Sequence, residues 1–452
     1  MFGKPSAVKK IAVIGGGIAG LGAAWSLARR HDVTLFESAA RLGGHAHTVE
    51  IDDNGQRIAV DTGFIVYNVR NYPNLIALFD HLGVPTAASD MSFGVSLGNG
   101  RLEYAGTDLG GLFAQRRNAV NPRFWRMLRD IRRFYGAAQG YLETSGESLS
   151  VQQLLEREKY SQAFIEDHLI PMAAAIWSAS RHDIGQYPAA AFIRFFDNHG
   201  LLDLGRRPQW RTVSGGSREY VARLVEDTVM TIRTDAAIAS VSRGAGIVTI
   251  VDEEGQREDF DEVVVATHAD QALDLLADAS AQERAVLGAF AYSDNVAYLH
   301  EDRRLMPRRR AAWSSWNYLQ GETSDDRAPL CVSYWMNRLQ PLATRRQLLV
   351  TLNPPFAPAG ILTRGRYVYE HPIFTTTTAL AQERSIAIQG KQQTWFCGSY
   401  FGHGFHEDAL QSGLWVADQL GCERPWANAS AYERLPGSYR APNNAPPVVM
   451  IA

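Results

Sequence analysis

The chain has 452 residues, 46% of them hydrophobic and 21% charged, so it can bury one large core or two joined cores. Its net charge of −3 argues against a general nucleic-acid-binding protein. The cysteines Cys331, Cys397 and Cys422 have no metal-ligand spacing and cannot form a disulfide framework. We therefore expect a cytoplasmic, globular protein without a metal site.

The start of the chain and its apolar runs argue against secretion or membrane insertion. The first predicted strand begins about ten residues in, which leaves no room for the apolar core of a signal peptide. No apolar run approaches the ~18 residues that a membrane-spanning helix needs. The sequence predicts a protein that is soluble or at most peripheral to a membrane.

The first predicted elements form a strand, a glycine turn and a helix. The apolar run at 11–14 ends in the turn at 15–20, Gly-Gly-Gly-Ile-Ala-Gly. Gly15 makes the tight turn, Gly17 lets backbone N–H groups approach a pyrophosphate, and Gly20 packs helix against strand. The predicted ligand contacts of this turn are Gly15, Gly17, Ile18, Ala19 and Gly20.

A second apolar strand at 33–36 delivers Glu37. At this place a carboxylate can accept both hydroxyls of an adenosine ribose, which a 2′-phosphate would repel. A glycine-rich turn without a ligand does not explain why an acid ends the next strand. The two features together predict a dinucleotide site.

A second glycine turn, Arg41-Leu42-Gly43-Gly44, follows the acid. Here the chain resembles the FAD-binding superfamily of flavin-containing amine oxidases, protoporphyrinogen oxidases and carotenoid desaturases, in which such a glycine pair contacts the FAD diphosphate. Those proteins usually continue with arginine, whereas this chain has His45. The resemblance implies FAD as cofactor, with further contacts from Ser38, Arg41, Gly43, Gly44 and His45.

The segment Val60-Asp61-Thr62-Gly63-Phe64 contains an Asp-x-Gly that resembles the family segment passing the flavin ring. The resemblance implies contacts from Gly63 and Phe64. A strand that ends in a turn explains Asp61 and Gly63 equally well.

A basic, aromatic helix is predicted over 123–135. Phe124, Leu128, Ile131 and Tyr135 share one face at helical spacing, and arginines fill much of the remainder. A core helix with a solvated face explains this pattern. A surface that meets anionic phospholipid explains it as well.

Two segments in the middle of the chain extend the resemblance. Residues 238–241 precede a strand at 247–251 and a second strand at 263–265. In the family, a backbone pair at the position of Ile238 meets the adenine, and Ala266 follows the second strand. The resemblance implies cofactor contacts from both residues.

A strand at 293–299 puts Asn295 where amine oxidases carry a lysine that holds water near flavin N5. Asparagine can hold a water but cannot act as a base, which makes amine oxidation less favoured. Large aromatic residues indicate an apolar pocket or ordinary core packing, and they are Trp177, Trp313, Trp316, Tyr318, Tyr334 and Trp335.

Near the C-terminus, a strand end at Gly398 leads to a helix that starts near His406. In the family the strand end contacts the ribitol, and the helix N-terminus faces the flavin pyrimidine, where its positive end stabilises negative charge. The resemblance implies contacts from Gly398, Ser399, Phe405, His406 and Glu407. Glu407 and Asp408 can instead be helix-start residues. Candidates for catalysis are Asn295, His406 and Tyr400.

The resemblance implies an α/β fold with a Rossmann-type FAD-binding domain and a discontinuous mixed α/β substrate domain. We expect the FAD domain at 1–90, 210–276 and 390–421, the substrate domain at 91–209 and 277–389, and a tail at 422–452. The chain lacks a second strand–GxGxxG–helix unit for NADPH. Electrons should therefore come from the substrate and leave to oxygen or an external acceptor.

More narrowly, His45-Ala46-His47 and residues 63–68 resemble bacterial flavoproteins encoded beside cyclopropane-fatty-acid synthases. That resemblance implies an apolar acyl or lipid substrate and a desaturation or dehydrogenation, with hydride transfer to flavin N5. The alternatives are an amine oxidase and a non-redox flavin isomerase. Peripheral membrane contact is a further expectation.

Overall fold

The computed structural model describes residues 7–144, 149–177, 180–198, 201–202, 208–321, 330–426 and 435–436. In these ranges the chain folds around two large apolar cores. One surrounds a parallel sheet, and the other lies between a seven-stranded mixed sheet and a group of helices. The predicted α/β class with a Rossmann-type part is confirmed, whereas the predicted domain boundaries stay a prediction.

The parallel sheet has five strands. Short, continuous apolar runs suit such a sheet because its strands can be buried on both faces. In spatial order the strands are Thr231–Arg233, Asp32–Phe36, Lys10–Ile14, Glu262–Val265 and Thr394–Phe396. The three central strands end in register. Gly15, Glu37 and Ala266 therefore follow at one carboxyl edge, which is where ligands bind in open α/β sheets.

Two helices on this sheet pack unusually close together. They are Ile18–Leu27 and His406–Gln419, and small residues line their contact. A Cβ on Gly413 would lie 2.0 Å from the carbonyl oxygen of Ala19, and one on Gly22 would lie 2.6 Å from Leu410 Cδ1. Glycine is therefore required at position 413, where the neighbour is backbone, whereas the end of the Leu410 side chain would have to move for a larger residue at position 22.

The seven-stranded sheet is antiparallel except for one parallel pair, Trp316–Leu319 with Phe93–Leu97. In spatial order its strands are Thr363–Ile373, Ala291–His300, Leu349–Leu352, Cys331–Trp335, Trp316–Leu319, Phe93–Leu97 and Leu102–Ala105.

Three smaller sheets complete the strands of the described ranges. Their strands are Ile238–Gly244, Ile247–Asp252 and Arg257–Phe260; Thr48–Asp53 and Gln56–Asp61; and Tyr67–Asn68, Trp210–Val213 and Thr86–Ser89.

The other α-helices cover the sheets and connect their strands. They are Pro73–Leu82, Leu109–Leu112, Pro122–Thr144, Val151–Arg157, Gln162–Phe164, Ile170–Trp177, Arg181–Gln186, Ala189–Asn198, Arg218–Glu226, Ala269–Leu275, Ala281–Leu287, Met336–Leu339 and Thr376–Arg384. Among the described residues, none of the helices combines the length and the apolar character that crossing a membrane requires.

The predicted basic helix is present as Pro122–Thr144, with its apolar face rotated slightly from the prediction. Its buried apolar side chains are Phe124, Met127, Ile131, Phe134 and Ala138. Leu128 and Tyr135, which the spacing also assigned to this face, are partly buried at its border. The buried stripe follows i, i+3 and i+4 steps from Phe124, so Met127 and Phe134 occupy its centre.

Candidate active site

A cavity of about 1050 Å³ extends from the carboxyl edge of the parallel sheet to the seven-stranded sheet. Most of the predicted site residues line it, namely Gly15, Gly17, Ile18, Ala19, Glu37, Ser38, Arg41, Gly43, Gly44, His45, Gly63, Phe64, Ala266, Gly398, Ser399, Tyr400, Phe405 and His406. Gly20, Ile238, Asn295 and Glu407 are not among its lining residues.

The glycines of the first turn have different roles. Gly15 has a φ of +109°, and a Cβ there would lie 2.7 Å from the carbonyl oxygen of Ala266. A Cβ on Gly20 would lie 1.9 Å from the carbonyl oxygen of Gly15. A Cβ on Gly17, by contrast, would meet nothing within 4 Å. Gly15 and Gly20 are thus required by protein packing, whereas Gly17 leaves open space at the start of the helix.

The second glycine pair lies directly against the first turn. The backbone N–H of Gly43 donates to the carbonyl oxygen of Gly16 at 2.8 Å. Gly43 and Gly44 have φ values of +107° and +55°, and a Cβ on Gly44 would lie 3.1 Å from the Cα of Gly17. The two turns therefore form one continuous backbone floor.

Glu37 is held at the edge of this floor. Its carboxylate accepts hydrogen bonds from the backbone N–H of Gly16 at 2.7 Å and from that of Ala39 at 2.8 Å. A carboxylate fixed in this way still has lone pairs for ribose hydroxyls. Its negative charge would repel a ribose that carries a 2′-phosphate.

The residues present fit the diphosphate and ribose of FAD. The open space at Gly17 faces the first backbone N–H groups of a ten-residue helix, which have no partner within a helix and favour an anion. Arg41 adds a cation to the cavity wall and is oriented by donating to the carbonyl oxygen of Gly44 at 2.9 Å. Bare backbone, an ordered acid and one cation are the groups that a dinucleotide needs.

Residues 62–64 form the next part of the wall. The backbone N–H of Phe64 donates to the carbonyl oxygen of His45 at 2.7 Å, and a Cβ on Gly63 would lie 2.2 Å from that oxygen. The Phe64 ring stacks on His406 with 3.9 Å between centroids and 8° between planes. Glycine is thus required at position 63 because the carbonyl oxygen of His45 leaves no space for a Cβ there.

His406 is a neutral and well-oriented part of the wall. Burial lowers its pKa to about 3, and Tyr220 Oη lies 2.7 Å from its Nε2. This hydrogen bond between Tyr220 and His406 fixes the orientation of the neutral imidazole ring. Because its pKa is so low, His406 is poorly suited to the role of general base that the sequence left open.

Three imidazoles lie near one another in the cavity wall, between the end formed by the glycine turns and the opposite end. The ring centroid of His45 lies 5.5 Å from that of His371 and 6.4 Å from that of His268, and all three line the cavity. We call them the imidazole cluster. Burial, with nearby His268, lowers the pKa of His371 to about 4. Burial and the neighbouring histidines hold the pKa of His45 well below its usual value.

Sequence reasoning named only His45 of this cluster. His268 follows the strand Glu262–Val265 at the same sheet edge as Ala266. Its position in the sequence could therefore have identified it as a site residue. His371 lies on a strand of the other sheet and gave no signal. Among the described residues, no group of His, Cys, Asp or Glu could hold a metal ion.

Glu407 has a structural position rather than a place on the cavity wall. Its fully buried carboxylate accepts from the backbone N–H groups of Asn74 and Leu75 at 3.0 and 2.9 Å, at the start of the helix Pro73–Leu82. Asp408 caps its own helix by accepting from the backbone N–H of Phe405 at 2.8 Å. The helix-start alternative thus describes Asp408, whereas Glu407 stabilises the start of a different helix.

Asn295 also faces away from the cavity, which corrects the comparison with the amine-oxidase lysine. Its side chain is fully buried, donates to the carbonyl oxygen of Ser293 at 3.0 Å and accepts from Asn353 at 2.7 Å. Side chains alternate along a strand, and the neighbouring Asp294 lines the cavity. The cavity-facing residue of this strand is therefore Asp294.

Ile238 lies outside the cavity but near the nucleotide end. Ala236, two residues earlier, donates its backbone N–H to the carbonyl oxygen of Glu37 at 2.9 Å. The predicted contact of Ile238 with an adenine stays a prediction.

The far end of the cavity is apolar, and we call it the apolar lobe. Its lining side chains come from widely separated segments and are Met91, Phe93, Met172, Ile176, Phe195, Leu201, Trp210, Trp316, Tyr334, Leu352 and Phe374. Trp316 and Tyr334 were among the predicted aromatics. Trp313 and Trp335 lie elsewhere, Tyr318 belongs to the core, and the side chain of Trp177 lies outside the described residues.

Two curated proteins are similar to parts of this chain. (S)-6-Hydroxynicotine oxidase of Paenarthrobacter nicotinovorans is 26% identical over 264 residues, which cover 56% of this chain and 59% of the oxidase. Carotenoid phi-ring synthase of Chlorobaculum tepidum is 40% identical over 84 residues, which cover 18% of this chain and 12% of the synthase. The matches thus span less than two thirds of either relative.

Solved structures share the fold over nearly the whole chain. A conjugated-linoleic-acid-producing fatty acid isomerase from P. acnes has a TM-score of 0.64 at 15% identity, covering 91% of this chain and 98% of its own. A putative protoporphyrinogen oxidase from Exiguobacterium has a TM-score of 0.62 at 17% identity, covering 92% and 99%. Putrescine oxidase bound to putrescine has a TM-score of 0.63 at 14% identity, covering 92% and 99%.

The family model described as flavin containing amine oxidoreductase matches residues 18–341, more than half of the chain. This match begins at the helix that follows the first glycine turn. The chain therefore belongs to the flavin-containing amine oxidoreductases, a family of FAD-dependent enzymes.

Proposed function

We propose that this protein is an FAD-dependent oxidoreductase that desaturates or dehydrogenates an apolar, acyl-type substrate. The observation that carries the proposal is the apolar lobe, which opens from the same cavity as the nucleotide floor. FAD, when bound, would supply the hydride acceptor of the reaction. In the part of the chain that the structure describes, the polar residues that line the lobe region are Ser89, Ser92 and Gln209, all uncharged.

The distribution of charge favours an apolar substrate over an amine. Among the described residues, the carboxylates that line the cavity are Glu37 at the nucleotide end and Asp294 and Glu370 beside the imidazole cluster. Glu370 already lies 3.0 Å from Nδ1 of His268. An ammonium group in the apolar lobe would find no carboxylate among the described lining residues, which is costly, whereas each buried methylene gains about 0.8 kcal/mol.

His45 and His371 of the imidazole cluster suit this substrate because they add no charge near pH 7. The pKa values of His45 and His371 lie well below their usual range. Both rings therefore offer hydrogen-bonding nitrogens without placing a cation beside an uncharged chain. Their role in the proposal is to orient groups at the junction of the two ends.

Amine oxidation remains a second candidate because Asp294 and Glu370 are register partners on adjacent strands and both line the cavity. Such a pair could hold an ammonium group. A third candidate is a non-redox flavin isomerase, and the likeness to a fatty acid isomerase fold is compatible with it. We propose oxygen or an external acceptor as the destination of the electrons.

We also propose peripheral contact with an anionic membrane through a surface around the start of the helix Pro122–Thr144. We call it the basic surface. Its exposed side chains are Arg116, Arg117, Arg126, Arg129 and Arg132 together with Leu109, Val120 and Trp125. Trp125, Val120 and Leu109 are 51%, 83% and 75% exposed, so apolar groups lie among the cations. Amphipathic surfaces of this composition bind lipid interfaces.

Several of the arginines that the sequence assigned to this surface have other partners. Arg123 pairs with Asp167 at 2.7 Å and with Glu166 at 2.8 Å. The guanidinium of Arg133 lies 3.8 Å from the ring centroid of Tyr160. Arg129 lies 3.4 Å from the carboxylate of Asp130, but its side chain is 71% exposed. Arg126 is therefore the best target for testing lipid contact, followed by Arg129.

Anaerobic mixing of the yellow holoprotein with oleate or with putrescine tests the substrate class. Bleaching of the flavin by oleate and not by putrescine is the expected result, and the product should contain an additional double bond. Bleaching by putrescine alone would overturn the proposal in favour of amine oxidation. Double-bond migration without net reduction, and only with pre-reduced flavin, would identify an isomerase.

A further inference from the structure

A second cavity of about 620 Å³ lies beside the first, and Met91 and Ser92 line both. Its other walls come from the loop before the helix Leu109–Leu112 and from the region around Arg310. This cavity therefore lies between the apolar lobe and the end of the basic surface marked by Leu109.

Arg310 is the distinctive side chain of this cavity. Its guanidinium carbon lies 3.8 Å from the ring centroid of Trp313 and 4.3 Å from that of Trp335. The two indoles are perpendicular, with 5.4 Å between their centroids. They hold the guanidinium in a defined place, although its outer side is exposed.

No carboxylate pairs with Arg310 in the described ranges of the chain. Its side-chain hydrogen bond goes to the amide oxygen of Gln347, at 3.3 Å. Partial desolvation and the neighbouring cations Arg303 and Arg338 lower its pKa. A bound anion would stabilise the positive charge of the Arg310 guanidinium.

The acids in the walls of the cavity are already engaged. Asp90 lies 3.0 Å from the guanidinium of Arg338. Asp108 accepts from the backbone N–H of Gly111 at 2.7 Å and caps a short helix. Arg310 is thus the cation of this cavity whose charge is not balanced by a contacting acid among the described residues.

We propose that this second cavity binds the oxyanion at the head of the acyl substrate, a free carboxylate or a lipid phosphate, through Arg310. The acyl chain passes Met91 into the apolar lobe. This inference rests on the proposed function. A planar guanidinium matches an oxyanion with two parallel hydrogen bonds, and the unbranched thioether of Met91 can rearrange to admit a chain.

Equilibrium binding to the holoprotein, measured by calorimetry, tests the subsite with oleate, oleyl alcohol and oleoyl lysophosphatidate. Wild type should bind oleate more tightly than oleyl alcohol. The R310Q variant should lose about tenfold in oleate affinity, the lower end expected for a charge-assisted hydrogen bond, and nothing for the alcohol. R303Q is the matched control, because Arg303 is a neighbouring exposed cation that does not line the cavity.

Each outcome has a defined meaning. Equal binding of oleate and oleyl alcohol by wild type overturns the subsite and leaves the apolar substrate intact. Binding of neither overturns the substrate class and the subsite with it. Tighter binding of the lysophosphatidate, also lost in R310Q, identifies a phosphate head group. If R310Q does not fold, R310K tests the same site, because it keeps the charge but loses the planar donor pair.

Discussion

The two ends of the main cavity are built in different ways. The nucleotide end is a floor of backbone, in which Gly15, Gly17 and Gly43 matter for the side chains they lack. The apolar lobe is built of side chains such as Phe93, Phe195, Leu352 and Phe374, which come from separate strands, helices and loops. A cofactor shared by a whole family is bound by local backbone geometry, whereas substrate selectivity depends on the packing of distant segments.

The largest effect is expected on acidification, which acts on buried histidines, two of which, His371 and His406, line the main cavity. Burial lowers the pKa of His371 and His300 to about 4 and that of His406 to about 3. Below pH 6.5 the unfolded chain takes up these protons and the folded protein does not, so stability falls as the pH drops towards 4. Each of these imidazoles accounts for roughly 3 kcal/mol at the acid end of that window.

Asp61 opposes this loss of stability, but it is a single group acting against three imidazoles. Burial raises its pKa to about 6, so its protonation adds stability as the pH falls below 6. Urea unfolding of the holoprotein between pH 7 and 4 measures the net effect. We expect the free energy of unfolding to fall, and to fall less steeply in His371→Asn. A flat profile in wild type would contradict the burial of these imidazoles.

The next largest effect is a difference in stability between substitutions at two glycines of the same turn. Gly20→Ala should destabilise the fold by about 3 kcal/mol, because its Cβ would lie 1.9 Å from a backbone oxygen. Gly17→Ala should leave stability within about 0.5 kcal/mol, because its φ of −72° suits alanine and its surroundings are open. It should nevertheless weaken FAD binding. Equal effects of both changes on unfolding would show that the space at Gly17 is not reserved for a ligand.

Removal of the ribose acceptor should have a smaller effect. Glu37→Ala should weaken FAD binding by about 1–3 kcal/mol, typical of a charged hydrogen bond, as measured by flavin fluorescence during titration of the apoprotein. Glu50→Ala is the charge-matched control, since Glu50 is exposed and pairs with Arg57 and Arg218 away from the cavity. A wild-type protein that binds NAD and not FAD would falsify the cofactor assignment.

The smallest effect per residue is expected at the basic surface. Each arginine near an anionic lipid surface adds about 1 kcal/mol of attraction, which salt weakens. Flotation with anionic liposomes should therefore decrease when Arg116, Arg126 and Arg129 are changed to Gln. The same change at Arg57, Arg257 and Arg284, exposed elsewhere, should have less effect. Absence of flotation of wild type at low salt would end the membrane proposal.

The nucleotide end could be predicted because its signals are local in sequence. The spacing of Gly15, Gly17 and Gly20 and the position of Glu37 follow from a strand, a turn and a helix. The same reasoning reached Gly43 and Gly44, which contact the first turn. The α/β class of the fold, which the family resemblance implied, is confirmed as well.

The remaining errors come from long-range contacts and from strand register. Asn295 was predicted to lie at the site, whereas its neighbour Asp294 lines the cavity. The resemblance of a strand does not fix which face meets the cavity, and a shift of one residue reverses the faces. Glu407 was assigned to the cofactor because its partners, Asn74 and Leu75, lie far away in the sequence. His371 and most of the apolar lobe look like ordinary strand or core residues until the sheets are assembled.

The close contact of the helices Ile18–Leu27 and His406–Gln419 has a consequence for biosynthesis. The glycine turn is synthesised long before the helix that supports it, because the two helices are far apart in the sequence. Until residues 406–419 have been made, a growing chain therefore carries an unfinished cofactor floor and an uncovered apolar helix. Firm binding of FAD has to wait for the later helix, and chaperones have a long period in which to protect the exposed face.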